Sequence, residues 1–141
     1  MTTRRLVGLL AALTAASTTA TACTPLLLRW PLLLIGLAPR APFLFLAAGH
    51  TPFSVFLVVA TARLLVADPI HYALGRRHGA DRVHPRIQRA VGRVGLLAVA
   101  LKPNGPVLVA AGAGRLDPRL VLVADVAGTL LYLLAIHRVA T

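Results

Sequence analysis

The sequence predicts an all-α integral membrane protein with about three spanning helices and two opposed, proline-broken re-entrant hairpins. Three observations predict this fold class. Apolar residues make up 57% of the 141 residues and the mean hydropathy is +0.79, which is too apolar for a soluble domain of this size. The 15 Lys and Arg residues lie mainly in short stretches between apolar runs, as the positive-inside rule describes. Prolines interrupt two of the apolar runs at similar places.

Composition also excludes several classes of function. The net charge is +11, but nucleic-acid binding needs a polar face that carries the charge, and the chain has no long polar segment. Cys23 is the single cysteine, which excludes a disulfide framework and a thiolate metal site. The five histidines follow no metal-ligand spacing, and neither a phosphate-binding loop nor a nucleophile elbow occurs. We therefore predict no enzyme activity, no cofactor, no metal and no nucleic-acid partner.

Residues 6–23 predict a first spanning helix that is retained in the mature protein. The segment resembles a signal peptide, and Cys23 ends a weak lipoprotein motif because Ala20 stands where Leu is usual. A lipoprotein would continue into a soluble domain, whereas this chain continues into further apolar sequence. We expect Cys23 to carry no lipid, and a lipoprotein processed at Cys23 is the alternative.

Residues 26–49 predict the first re-entrant hairpin. A lipid-exposed helix does not tolerate two prolines three apart at its middle, but a hairpin buried in protein does. The following run, residues 53–74, predicts a full span, because 22 residues at about 1.5 Å each cross the hydrocarbon layer. The residues that interrupt the hairpin segment are Arg29, Pro31, Pro39, Arg40 and Pro42.

Residues 76–93 predict a basic cytoplasmic loop of a bacterial inner-membrane protein. Its arginines are Arg76, Arg77, Arg82, Arg86, Arg89 and Arg93, and the positive-inside rule places such a stretch in the cytoplasm. Residues 94–114 predict a second hairpin, broken within 102–106, and residues 120–136 predict the last span. With this loop inside the cell, the two hairpins enter the membrane from opposite faces. The whole chain is thus expected to form one membrane domain.

The two broken segments resemble each other in sequence. Leu37-x-Pro39-x-x-Pro42 lies alongside Leu101-x-Pro103-x-x-Pro106, and a glycine follows each, at Gly49 and Gly112. Paired broken segments in corresponding halves are typical of transporters with a mid-membrane site. We expect residues 39–42 and 103–106 to approach each other there.

Each break should begin a short helix whose N-terminus favours an anion. Arg40 and Lys102 would then face a common cavity with their charges unpaired, and a lipid phosphate would be held between them, supported by Pro39, Pro42, Pro103, Gly105 and Pro106. Snorkelling of Arg40 and Lys102 to the membrane interface is the alternative interpretation.

A third feature lies near the end of the second span. Asp68, Tyr72 and Arg76 are four residues apart, so a helix presents them on one face. Polar groups on an apolar span indicate partners, water or substrate, although composition alone favours a helix end that frays into a basic cytoplasmic loop. We expect Asp68 to meet Arg63 or a hairpin backbone N–H, with Tyr72 as a bridge between Asp68 and Arg76 as the alternative.

The same stretch carries a family resemblance. Its pattern is Ala67-Asp68-x-x-x-Tyr72-x-x-Gly75-Arg76-x-x-Gly79. This resembles the Gly-Asp-x-x-x-Tyr-x-x-Gly-Arg-x-x-Gly pattern of DedA-family membrane proteins, the bacterial relatives of SNARE-associated, or VTT-domain, proteins. The chain would be a short and divergent member, and the resemblance implies two facing re-entrant hairpins between spanning helices.

The resemblance also implies a function. Members of the family are associated with movement of lipid-linked phosphates, such as undecaprenyl phosphate, or of phospholipids across the bilayer. The expected partners are membrane lipids that are anionic or bear phosphate, with Arg76 as a cytoplasmic landing point beside Arg40 and Lys102. Whether the chain forms homo- or hetero-oligomers stays open.

Three departures from the family pattern favour an alternative function. Lys102 stands in for the first arginine of the second hairpin, no second arginine follows, and the first hairpin carries Arg40 but no carboxylate. The chain is also shorter than the family pattern. A non-transporting membrane scaffold, or an assembly partner of a longer paralogue, is therefore the alternative to a lipid carrier.

Overall fold

The protein is described by a computed structural model that covers residues 3–79, 85–101 and 104–141, with backbone alone at 85–90, 92 and 93. Throughout these ranges the regular structure is helical. The helices are α1 (Thr3–Ala22), α2 (Thr24–Leu27), α3 (Pro31–Leu37), α4 (Ala41–His50), α5 (Phe53–His78), α6 (Pro85–Leu101), α7 (Gly105–Ala113) and α8 (Pro118–Ala140).

Three of the described helices are long and apolar enough to cross a membrane, namely α1, α5 and α8. The predicted all-helical membrane protein with about three spans is therefore confirmed. The ends differ from those predicted, because α5 continues through its basic end to His78 and α6 already begins at Pro85. Most of the stretch predicted as a basic loop is thus helical. Re-entry of the two hairpins into a membrane stays a prediction.

Prolines mark the beginnings of the short helices. Pro31 opens α3, and Pro42 and Pro106 lie in the first turns of α4 and α7. The fixed φ of proline suits the first helical turn, where its missing N–H costs nothing. The two sequence breaks therefore separate α3 from α4 and α6 from α7. Within each pair, the second helix packs against the first.

The chain divides into two compact units. Unit 1 comprises residues 1–64 and 130–141, and unit 2 comprises residues 65–129. Unit 1 therefore takes the first half of α5 and the second half of α8, and unit 2 takes the other halves. The single membrane domain expected from the sequence contains both units.

Unit 1 is built around an apolar core. Helices α3, α4, α5 and α8 all contribute to it, and Phe56 is its largest fully buried side chain. Arg63 of α5 belongs to the same unit and carries a charge. Its Nε donates to the carbonyl oxygen of Gly36 at 2.9 Å and its Nη2 to that of Leu37 at 3.2 Å. These carbonyls lie at the C-terminus of α3, where a positive charge is favourable.

Unit 2 has a smaller apolar core between α6, α7 and α8. Val99, Leu108, Ala111 and Val121 are its buried members. Glycine contacts bring the helices of this unit together. A Cβ at Gly128 of α8 would fall on the backbone of Ala100 in α6, so these two helices touch through their main chains.

Candidate functional site

The candidate site lies in unit 2, on the face of α5 that packs against α7. Both helices contribute glycines to this contact. A Cβ at Gly75 would fall on the backbone of Val109, and a Cβ at Gly112 would fall on that of Tyr72. One turn further on, a Cβ at Gly79 would lie 2.5 Å from the Cβ of Ala113. Small residues at this spacing let two helix backbones approach closely.

Tyr72 fixes the end of α7 to this face. Its hydroxyl donates to the carbonyl oxygen of Leu116 at 2.6 Å. Leu116 lies in the turn that closes α7, where Arg115 adopts a left-handed conformation with φ 55° and the N–H of Leu116 donates to Ala111 at 3.2 Å. The residue after a helix commonly takes this conformation, although glycine is usual there. The phenol of α5 therefore satisfies a carbonyl that the turn leaves outside the helix.

Asp68 lies on the same face of α5, one turn before Tyr72, and meets a second acid. The side chains of Asp68 and Asp125 lie against each other at the wall of one cavity. Both residues are buried, with 9% and 2% of their surfaces exposed, and the Oδ1 atom of Asp125 has no hydrogen-bond partner. Two ionised carboxylates at this distance would repel each other, so a proton or a bound cation is needed to stabilise the pair.

A cavity of about 230 Å³ opens beside the two carboxyl groups. We call it the acidic pocket, and its other walls are mostly apolar. Pro69, Pro118 and Leu122 are exposed residues at its edge. The lining residues are Asp68, Pro69, Tyr72, Leu108, Pro118, Val121, Leu122 and Asp125.

Two expectations about the partners of Asp68 and Tyr72 are wrong. Arg63 was the predicted partner of Asp68, but Arg63 donates to the carbonyls of α3 and Asp68 meets Asp125. The alternative, a hairpin backbone N–H as the partner of Asp68, stays a prediction, because residues 102 and 103 of the second hairpin lie outside the described residues. Tyr72 was expected to bridge Asp68 and Arg76, but its hydroxyl donates to the main chain of Leu116. In both cases an unsatisfied carbonyl at a helix end takes the donor.

The residues predicted to bind a lipid phosphate have different surroundings. Arg76 is exposed at the end of α5, and Arg40 is exposed directly before α4. Pro39 is partly buried, whereas Pro42 and Pro106 are exposed. Gly105 opens α7 against the ring of His71, since a Cβ there would lie 2.9 Å from its Nε2.

Lys102 and Pro103 lie outside the described residues. The expected approach of residues 39–42 to residues 103–106 therefore stays a prediction, and so does the common cavity for Arg40 and Lys102.

Two residues of the site were missed. Asp125, like Asp68, is a carboxyl group in an apolar span, and this alone could have marked it as a candidate. Unlike Asp68, it belongs to no recognisable sequence motif. Asn104 begins α7 as its N-cap, with its side-chain oxygen accepting from the N–H of Val107 at 3.1 Å. An Asn before Gly-Pro is a recognisable helix start, so this role could have been predicted.

Comparisons with protein-family models, curated proteins and solved structures give no match for this chain. The resemblance to the DedA family therefore rests on the pattern along α5. Of that pattern, Asp68, Tyr72, Gly75 and Gly79 take part in the contacts described above, and Arg76 is exposed beside them.

Proposed function

We propose that this membrane protein carries lipid-linked phosphates or phospholipid headgroups between the two leaflets of a bacterial inner membrane. The observation that carries the proposal is the arrangement of the DedA-like pattern. Four of its residues join α5 to α7, to the turn after α7 and to α8, and the arginine is left exposed at the helix end. Such an arrangement combines a fixed scaffold with an available cation.

The charged groups inside the candidate spans also support transport. Asp68, Asp125 and Arg63 lie in α5 and α8, and burying such groups in a membrane is expensive. They are therefore a default indication of function rather than of stability. Arg63 is satisfied by the end of α3. Among the described residues that line the pocket, none is a cation that would compensate the two acids.

The two helix pairs suit an anionic headgroup. Both α4 and α7 begin in a proline-interrupted stretch of the sequence, and the N-termini of helices favour negative charge. Arg40 is exposed at the start of α4, and its side chain forms no cap to that helix. A phosphate group could therefore bind its guanidinium without first breaking a cap.

The proposal is tested by lipid flipping in proteoliposomes. We expect the purified chain to move a fluorescent phospholipid or prenyl phosphate between leaflets, and Arg40→Gln, Lys102→Gln and Arg76→Gln each to slow that movement. Arg77→Gln is the matched control, because Arg77 is exposed next to Arg76 but lies outside the pattern.

An inactive wild-type chain, or equal rates in Arg76→Gln and Arg77→Gln, would contradict the proposed carrier. Lipid binding without flipping would instead favour the scaffold alternative.

A further inference from the structure

We propose that the acidic pocket binds an organic cation, namely a primary ammonium group on an apolar stem. The inference goes beyond the proposed function, which concerns phosphate and basic residues. It rests on the chemistry of the pocket alone.

The buried acid of the pocket lacks a partner. Asp125 has only 2% of its surface exposed, and its Oδ1 atom has no hydrogen-bond partner. Leaving such an oxygen unpaired is costly. Asp68 lines the pocket beside Asp125, and a bound cation favours the ionised form of an adjacent carboxyl group. None of the described residues that line the pocket is basic, so a monovalent cation would meet no competing positive charge there.

The shape and lining of the pocket select an organic cation. Calcium needs six to eight oxygen ligands, whereas Leu108, Val121 and Leu122 offer only carbon. In the described part of the chain, no three His, Cys, Asp or Glu side chains cluster. A volume of about 230 Å³ is also too large for a bare ion, because a water molecule takes about 30 Å³ in the liquid.

An ammonium group on an apolar stem suits both the acidic and the apolar residues that line the pocket. Its N–H groups would donate to Oδ1 of Asp125 and to Asp68, and the apolar stem would lie against the aliphatic side chains. The ring of Tyr72 also lines the pocket, and aromatic faces attract cations. Pro69, Pro118 and Leu122 are exposed, so a ligand can reach the acids past them.

The experiment uses the full chain in a non-ionic detergent, with hexylammonium as the probe and hexanol as its uncharged counterpart. Binding is measured by native mass spectrometry and by the shift in thermal unfolding. We expect hexylammonium to bind and to raise the unfolding temperature, and hexanol to do neither at the same concentration. Equal binding of the two would overturn the proposal, because an apolar cavity alone would then explain it. This comparison needs no mutant.

Replacing both acids, Asp68→Asn together with Asp125→Asn, tests the role of the carboxyl groups with little change of shape. We expect hexylammonium to bind to this double variant about tenfold more weakly or worse, the loss typical of one charge-assisted hydrogen bond. Asp117→Asn is the matched control: Asp117 is exposed and caps α8, and Asn also caps well. Unchanged affinity in the double variant, or an equal loss in the double variant and in Asp117→Asn, would overturn the proposal.

The natural source of the ammonium group is decided by a competition experiment. The chain is placed in nanodiscs that contain ethanolamine-headgroup and choline-headgroup lipids. Preferential retention of the ethanolamine lipid, displaced by hexylammonium, supports a lipid-borne amine. Hexylammonium binding without that preference supports a soluble amine. The readout is independent of phosphate flipping, so failure here and failure of the proposed carrier are distinguishable.

Discussion

Gly49 and Gly112 each follow a proline-broken segment, but Gly49 lies seven residues after Pro42 and Gly112 six residues after Pro106, and their surroundings differ. Gly49 belongs to unit 1, where an added Cβ would lie 3.7 Å from the carbonyl oxygen of Ala140, an ordinary contact. Gly112 belongs to unit 2, where an added Cβ would fall on the backbone of Tyr72. The same residue type is therefore optional in one unit and required in the other.

The end of the first helix in each pair shows a second contrast. In unit 1 the carbonyls of Gly36 and Leu37 accept from Arg63 of α5. At the corresponding place in unit 2, Ala100 lies against Gly128 of α8, and the two backbones touch. In unit 1 the long side chain of Arg63 lies between α5 and the end of α3. In unit 2 the lack of a side chain at Gly128 lets the backbones of α8 and α6 touch directly.

The two cores differ in polarity as well. Unit 1 packs Phe56 among apolar side chains and against the ring of His137. The buried polar residues of the described chain, Asp68, Asp125 and Thr129, all belong to unit 2. Buried acids cost stability unless they are paired, and a glycine-rich contact holds its helices in a narrow range of positions. The comparison indicates that unit 1 is built for packing and unit 2 for holding polar groups in place.

Replacing Gly112 or Gly49 by alanine should give the largest difference in stability between the two units. We expect Gly112→Ala to destabilise the protein by about 3 kcal/mol, because overpacking against a backbone cannot be relieved by a side-chain rotation. Gly49→Ala should be neutral or should gain up to about 1 kcal/mol from helix propensity. Thermal and denaturant unfolding in detergent measure both. Equal stability of the two variants would show that the close approach of α5 and α7 does not matter.

The second effect concerns Arg63. Arg63→Met removes both donors from the partly buried carbonyls of α3 and should cost about 2 kcal/mol, within the usual penalty for leaving such acceptors unpaired. Arg63→Lys keeps the charge but not the two-pronged geometry, so it should fall between Met and the wild type. Hydrogen exchange measures the result locally, with faster exchange expected in α3. Unchanged exchange there would mean that Arg63 does not hold the helix end.

The sequence predicted the elements well because they follow from local physics. Apolar length gives the spans, and a proline three residues after another ends one helix and begins the next. The face of α5 was also predictable, because Asp68 and Tyr72 repeat at helical spacing. The partners of those side chains were not. Whether Tyr72 meets Arg76 or Leu116 depends on where the turn after α7 lies.

The expected ion pair between Asp68 and Arg63 is the main error. An acid and an arginine in one apolar helix suggest an ion pair, so Arg63 was assigned to Asp68. The C-terminus of a helix, however, also attracts an arginine, because its unpaired carbonyl oxygens carry partial negative charge. A sequence pattern does not reveal this partner, because no charged residue marks it. The pairing of two acids is equally hidden, because like charges are expected to avoid each other until a proton is shared.

The smallest effect concerns the caps of α4 and α7, at the two residues that open them. Asn104 caps α7 by accepting from the N–H three residues on, and Asn104→Ala should cost about 1 kcal/mol. Arg40 holds the same position before α4, without a side-chain cap, and its backbone is already extended with φ −92° and ψ 150°. The N–H of Phe43 now donates to the carbonyl oxygen of Arg40 at 3.0 Å. Arg40→Asn would offer this N–H a second acceptor and should stabilise the protein by up to about 1 kcal/mol.

The same Arg40→Asn variant separates stability from the proposed carrier. If Arg40 is retained to hold a phosphate, the variant should be more stable in thermal unfolding but slower in lipid flipping. Arg40→Gln gives the matched loss of charge with a side chain that caps poorly, so its flipping should fall equally while its stability stays near that of the wild type. A stabilised Arg40→Asn variant that flips lipid at the wild-type rate would leave Arg40 without a role in transport, because neither the helix nor the substrate would then need its charge.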